Sequence, residues 1–162
     1  MKRPNKKQSL SIAGAIIVLA LTAYGVVQYR NGPPVYASAI SDDIRRSADF
    51  TLYVPRQLPS GYLLKNDDGV SFTNNILFMQ FTRDDQTIFM SQQKKPSPEP
   101  SIQTLNGFKS LEVPIGKAVT GEQDGAAATI VLSSDSLITV TSDGSASSAD
   151  LVLIAKRLQK VE

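Results

Sequence analysis

The sequence predicts an α+β fold, in which a mainly antiparallel sheet is preceded by a short helix and followed by a packed C-terminal helix. From residue 50 onwards, short stretches alternate between apolar and polar residues, as half-buried strands do, and residues typical of turns separate them. Near the end of the chain, apolar residues recur at helical spacing after a serine that can cap a helix. These patterns cover residues 40–162. A long apolar segment before them predicts one transmembrane helix.

The predicted elements of the sheet begin after a short helix. That helix starts at Ser41, a good capping residue, and two aspartates follow near the positive end of its dipole. A strand is predicted at 50–54, and Pro55 ends it. Further strands are predicted at 62–65, 69–73, 76–82, 87–92, 108–113, 117–120, 127–133 and 137–141.

Two segments outside these strands have their own signatures. The proline-rich residues 94–100 are predicted to leave the sheet, since proline cannot donate to a strand ladder. The C-terminal helix is predicted to run from a cap at Ser147 to the end of the chain. Its apolar stripe faces the sheet and consists of Leu151, Ile154, Ala155, Leu158 and Val161.

Residues 10–29 are predicted to form the transmembrane helix. The stretch 8–29 contains no charged residue, and spanning the hydrocarbon core takes ~20 mostly apolar residues. Four positive side chains precede this stretch and only Arg30 follows closely, so the positive-inside rule places the N-terminus in the cytoplasm. The partner of residues 10–29 is then the lipid bilayer. Residues 1–9 form a short cytoplasmic tail, and the C-terminal domain lies outside the cell membrane.

A cleaved signal peptide is the alternative interpretation of the N-terminus. Ala37-Ser38-Ala39 matches an A-x-A cleavage site, and cleavage near Ala39 would release a secreted domain. The apolar segment is longer than the ~7–15 residues of an ordinary signal-peptide core. Residues 30–39, which include two adjacent prolines, instead predict a stalk. Both interpretations export residues 40–162.

The composition excludes several classes of chemistry. Cysteine and histidine are absent, which excludes disulfides, Cys/His zinc sites, lipid-modified lipoproteins and histidine-based catalysis. The chain has 17 Lys and Arg against 15 Asp and Glu, and four of the positive residues lie within residues 1–9, which leaves 13 against 15. A nucleic-acid partner is therefore not expected. No cofactor or metal is predicted.

The run FTLYVPRQLPSGYLL carries the pattern VPxxLPxGY, formed by Val54, Pro55, Leu58, Pro59, Gly61 and Tyr62. This pattern resembles the opening of an extracytoplasmic domain of unknown function found in single-pass bacterial membrane proteins, often anti-sigma-factor-like or sporulation-associated. The pieces IFMSQQ, NGFKSLEV and DLVLIAKRL are similar to later strands and the terminal helix of such domains. The resemblance implies a domain outside the membrane and supplies no catalytic residues. Anti-sigma-like members carry a cytoplasmic domain where this chain has only residues 1–9.

An aromatic and methionine cluster is the candidate surface for a ligand or partner. Side chains of this kind in strands commonly fill the core of a sheet, but they can also line a groove for an apolar ligand or a partner. The sequence leaves both interpretations open. The members of the candidate surface are Phe78, Met79, Phe81, Phe89 and Met90.

Three other patterns are interpreted as structural. The S-x-x-K match that begins at Ser91 lies in a predicted strand, whereas the catalytic motif needs its serine at the start of a helix. Aspartate pairs at 67–68 and 84–85 could bind calcium, but they lack EF-hand spacing, and Asp residues commonly form turns. The acidic residues lie mostly in turns and caps and supply no evident pair for glycosidase chemistry.

The sequence therefore predicts a non-enzymatic, membrane-anchored domain outside the cell. Its expected role is to bind a protein or another ligand at the bacterial cell envelope, in sensing or assembly. Two alternatives stay open. One is a carrier of a lipid or other apolar ligand in a groove of the sheet, and the other is an exported hydrolase.

Overall fold

A computed structural model describes residues 36–66, 68–100 and 105–162. The predicted cytoplasmic tail, the transmembrane helix predicted at 10–29 and residues 30–35 of the predicted stalk lie outside the described residues. Within the described ranges, no helix is long and apolar enough to cross a membrane. The fold below is that of the C-terminal domain.

The described residues form two helices, ten strands and a 3₁₀ turn at Ala37–Ala39. The helices are α1 (Asp42–Ser47) and α2 (Ser148–Lys156). Every strand predicted between residues 62 and 141 is confirmed, with ends that differ by a few residues. The strands are β1 (Tyr53–Pro55), β2 (Leu63–Leu64), β3 (Val70–Thr73), β4 (Ile76–Arg83), β5 (Gln86–Lys94), β6 (Asn106–Val113), β7 (Gly116–Gln123), β8 (Ala126–Leu132), β9 (Ser136–Ser142) and β10 (Leu158–Lys160).

Eight strands form one antiparallel sheet in the order β2-β4-β5-β9-β8-β7-β6, and β3 also pairs with β4. The β4–β5 hairpin joins the meander of β6 to β9 where β9 pairs with β5. The strands β1 and β10 form a separate two-stranded sheet. With one short helix before the strands and another near the end of the chain, the predicted α+β fold class is confirmed.

One face of the large sheet, the inner face, carries the core. Helix α2 packs on the part of this face formed by β7, β8 and β9, and its buried residues are Leu151, Ile154 and Ala155. Burying these apolar side chains supplies the main stabilisation of the domain. The sheet residues of the core are at most 1% exposed and include Leu77, Met79, Phe81, Ile88, Met90, Ile138 and Val140.

The predicted strand at 50–54 is wrong in its bounds. Strand β1 covers only Tyr53–Pro55, all three residues are buried, and it pairs with β10 instead of joining the large sheet. Its other edge meets the side chain of Gln92 on β5. The Gln92 amide donates to the Tyr53 carbonyl at 2.8 Å, and its Oε1 accepts from the Tyr53 N–H at 2.8 Å. These distant partners, rather than local alternation, determine where β1 lies.

The predicted C-terminal helix is confirmed at its cap but wrong at its end. The hydroxyl of Ser147 accepts a backbone N–H of the first turn, and the helix ends at Lys156. Leu158 lies in β10 and Val161 follows it. Both stay buried because the chain turns back along β1, where the Val161 N–H donates to the Leu52 carbonyl at 2.9 Å.

The folded domain includes residues that the sequence places in the stalk at 30–39. The Tyr36 ring packs edge-on against Phe81, with 6.2 Å between ring centroids, and this burial raises the pKa of Tyr36. The guanidinium of Arg45 donates to the carbonyl oxygens of Ala37 at 2.9 Å and Glu162 at 2.6 Å. Arg45 thus ties the start of the domain to residue 162.

The interpretation of Asp and Asn residues as turn residues is confirmed for several of them. Asp84, Asp124, Asn74 and Asn75 have φ values between 50° and 59°, a conformation that Asp and Asn tolerate better than most residues. Asp67 lies outside the described residues. Among those that are described, no group of three or more acidic side chains could hold a metal ion.

Candidate functional site

The candidate site is the face of the large sheet opposite the core, which we call the outer face. Strand register assigns its side chains, because alternate residues of a strand point to opposite faces. Over β3, β4, β5 and β9 none of these side chains is charged. They are Ser71, Thr73, Ile76, Phe78, Gln80, Thr82, Thr87, Phe89, Ser91, Gln93, Leu137, Thr139 and Thr141.

Two phenylalanines form the apolar centre of the outer face. Phe78 is 43% exposed and Phe89 is 44% exposed. Strand β4 pairs with β5 so that Phe78 lies opposite Ser91, and Gln80 lies opposite Phe89. The two rings are therefore diagonal neighbours on adjacent strands, a relation that places side chains roughly 7–8 Å apart.

A half-open depression of about 360 Å³ lies at these rings. Its polar lining includes Ser71, Gln80 and Thr141, together with the charged residue Asp68. The ammonium of Lys65 is 3.4 Å from the Oε1 of Gln80, one of the lining residues. Such a surface can bind a ligand through ring contacts and neutral hydrogen bonds.

The structure divides the predicted cluster between the two faces of the sheet. Phe78 and Phe89 point outward, whereas Met79, Phe81 and Met90 point into the core and are at most 1% exposed. Met79 lies directly opposite Met90 across β4 and β5. A groove lined by all five side chains is not formed, because neighbouring residues on one strand face opposite ways.

The sequence prediction missed the neutral side chains beside the rings. Gln80 follows from alternation along the predicted strand 76–82 once Phe78 is taken as outward, and Ser91 follows along 87–92 once Phe89 is taken as outward. The hydroxyls of Ser71 and Thr141 come from β3 and β9. Their position depends on strand pairing, which the local pattern does not contain.

Part of the outer face is covered by the chain itself. Leu105 is 3% exposed and packs on β7 and β8 against Val119, Ala128 and Ile130. A Cβ at Gly121 would lie 2.9 Å from the Leu105 side chain, so a glycine is needed at this close approach. The open part of the outer face is the part over β3, β4, β5 and β9.

The S-x-x-K residues do not form a catalytic pair. Ser91 and Lys94 both lie in β5, where residues three positions apart point to opposite faces. The Lys94 ammonium instead contacts the Asp49 carboxylate at 2.9 Å. Hydrogen bonds from Asn75 and Lys94 hold the pKa of Asp49 below its usual value.

A cluster of charged and aromatic residues on the core side has a structural role. The Arg83 guanidinium lies 4.3 Å from the centroid of the Tyr62 ring and donates to Gln86 at 3.1 Å. It also lies 3.5 Å from the carboxylate of Asp150 in α2. Burial raises the pKa of Tyr62. These contacts connect β4 to α2.

A second depression, of about 340 Å³, lies at the other edge of the sheet. It brings Lys109 and Glu122 together with Ser148 near the start of α2. It has no aromatic side chain in its lining, and its two charges are of opposite sign. The outer face, with its two exposed aromatic rings, is therefore the stronger candidate for a binding site.

Comparison with known proteins identifies no relative of this chain. No protein-family model, curated protein or solved structure matches the chain. The outer face is selected as the candidate site on its own geometry: two exposed rings, a depression between them, and neutral polar side chains around both.

Proposed function

We propose that this chain is a non-enzymatic, single-pass membrane protein whose domain binds a component of the bacterial cell envelope through the outer face. The observation that carries the proposal is the exposure of Phe78 and Phe89 together on the open part of the outer face, over β3, β4, β5 and β9. Large exposed apolar side chains grouped in one patch are typical of binding surfaces. Their loss of solvent contact on binding would supply favourable free energy.

The proposed position of the domain outside the membrane favours an envelope component as the ligand. The uncharged residues 10–29 and the positive side chains before them favour a helix with its N-terminus inside the cell. The resemblance of the VPxxLPxGY segment to extracytoplasmic bacterial domains favours the same arrangement. We therefore propose that the outer face operates outside the cell membrane, within reach of the envelope.

The apolar-carrier and hydrolase alternatives have weaker support from the described residues. A carrier would use the cluster as an apolar lining, but Met79, Phe81 and Met90 are packed in the core. A hydrolase of the S-x-x-K type would need Lys94 beside Ser91, and Lys94 contacts Asp49 instead. The outer face is the better supported binding surface.

The proposed topology predicts the behaviour of reporter fusions. Alkaline phosphatase fused after residue 162 is expected to be active, because it folds only outside the cytoplasm, and fusion after residue 9 is expected to be inactive. Activity of only the second fusion would contradict the orientation. Mass spectrometry of the membrane-bound protein is expected to find residues 1–7 retained, whereas a new terminus near residue 40 would show a cleaved signal peptide.

The proposed binding face predicts a second result. Detergent-solubilised full-length protein is expected to sediment with isolated envelope fragments, and Phe78→Ser and Phe89→Ser are each expected to lower the bound fraction several-fold, as loss of a central contact does. Phe108→Ser is the matched control, since Phe108 is 47% exposed but lies on the edge strand β6. Equal binding by all three variants would show that the outer face is not the binding surface.

A further inference from the structure

The outer-face side chains of β3, β4, β5 and β9 are all uncharged in a protein that is 20% charged. The depression has one charged residue in its lining, Asp68, and the Lys65 ammonium, of opposite sign, lies 3.4 Å from the Oε1 of the lining residue Gln80. On the outer face of β6 and β7, Glu112 and Lys117 lie opposite each other and carry opposite charges. Because these charges are of mixed sign, a partner recognised mainly through charge would find no field of a single sign on the face.

Each exposed ring lies between neutral hydrogen-bonding groups. In one row across the strands, Phe78 lies between Ser71 and Ser91. In the adjacent row, Phe89 lies between Gln80 and Thr141. Hydroxyl and amide groups both donate and accept hydrogen bonds. On this surface, aromatic rings therefore alternate with groups that can form hydrogen bonds to the hydroxyls of a ligand.

A sugar ring has the matching chemistry, with C–H groups on its faces and hydroxyl or amide groups around its edge. The interfaces of protein partners are instead enriched in Tyr, Trp, Phe, Met and Arg and depleted in Ser. Of the enriched types only Phe occurs among the outer-face residues of β3, β4, β5 and β9, and serines flank one of the two rings. A small apolar ligand is normally buried over most of its surface in a closed pocket. The depression is half open to solvent rather than enclosed, which fits an extended polymer better.

We propose that the ligand of the outer face is an uncharged glycan, with sugar rings over Phe78 and Phe89 and hydrogen bonds to the flanking hydroxyls and amides. This inference rests on the proposed function and names the chemical class of its ligand. The glycan lies across β4 and β5, so that both rings contribute to one continuous binding site.

The test is sedimentation of the full-length protein with an insoluble polymer of N-acetylglucosamine. A polyoxyethylene detergent keeps the protein in solution, because sugar-headed detergents would compete. The wild type is expected to bind. Phe78→Ser and Phe89→Ser are each expected to weaken binding about tenfold, as loss of a central contact does, whereas Phe108→Ser keeps wild-type binding. Raising the salt concentration from about 0.1 M to about 1 M is expected to change binding less than about twofold, since salt screens charge contacts only.

The outcomes separate the glycan from the broader proposal. In one outcome, the wild type fails to bind the polymer and still binds envelope fragments through Phe78 and Phe89. That result would overturn the proposal of a glycan ligand and leave the proposed function unchanged. Loss of binding at high salt, or polymer binding that the two substitutions do not weaken, would also overturn the glycan. Failure to bind envelope fragments at all would overturn both. Unfolding midpoints measured for the three variants confirm that each one is folded.

Discussion

Replacing Gln92 with leucine is expected to lower the free energy of unfolding by about 2–6 kcal/mol, because two buried main-chain groups lose their partner and each costs ~1–3 kcal/mol. Gln92 is fully buried, and its side chain bonds both the N–H and the carbonyl of Tyr53. Leucine is similar in size and fills the same space, so the loss reports the hydrogen bonds rather than a cavity. Typical domains have a total stability of only ~5–15 kcal/mol.

The matched control for this substitution is Gln93→Leu at the next position. Gln93 lies on the outer face and is partly exposed, so its replacement is expected to change stability by less than about 0.5 kcal/mol. Urea unfolding followed by circular dichroism measures both variants. Equal midpoints for Gln92→Leu and the wild type would show that β1 does not depend on the Gln92 side chain.

A Gln92→Glu variant separates the two hydrogen bonds. Glutamate keeps the oxygen that accepts from Tyr53 N–H but, when ionised, cannot donate to the Tyr53 carbonyl. Burial disfavours its charged form and raises its folded pKa above the unfolded value of ~4.3. Stability from the protonated form is therefore fully present below the unfolded pKa and is lost as the pH rises through the folded pKa. The variant is expected to approach wild-type stability in acid and to be weakest at neutral pH.

Gln92 also shows why the positions of β1 and β10 could not be predicted from the sequence. The strands β2 to β9 follow from alternation and turn residues, which are local signals, and so they were predicted within a few residues. The position of β1 depends on Gln92 and on β10, which lies about a hundred residues further along the chain. Leu158 satisfies a helical spacing and a buried strand position equally well, because both bury the same side chain. Local periodicity cannot choose between them.

The candidate site shows the same division between local and long-range information. The sequence identifies Phe78 and Phe89 as unusual strand residues, together with Met79, Phe81 and Met90 on the same strands. Which of them faces outward depends on the side from which α2 and the segment around Tyr53 pack against the sheet. Contacts between residues far apart in sequence therefore determine which face of the sheet is buried. The residue types were therefore predictable and the binding face was not.

Ile154→Ala tests whether the packing of α2 determines which face of the sheet is buried. Ile154 is fully buried on α2, and truncating a buried isoleucine removes transfer energy and leaves a cavity, at a cost of ~2–5 kcal/mol. Lys156→Ala, on the exposed side of the same helix, is expected to stay within about 0.5 kcal/mol of the wild type. Both are measured by urea unfolding of the full-length protein. If the two substitutions proved equally harmless, α2 would not cover the inner face. The core face would then be open to a partner, and the binding site would have to be sought there instead of at Phe78 and Phe89.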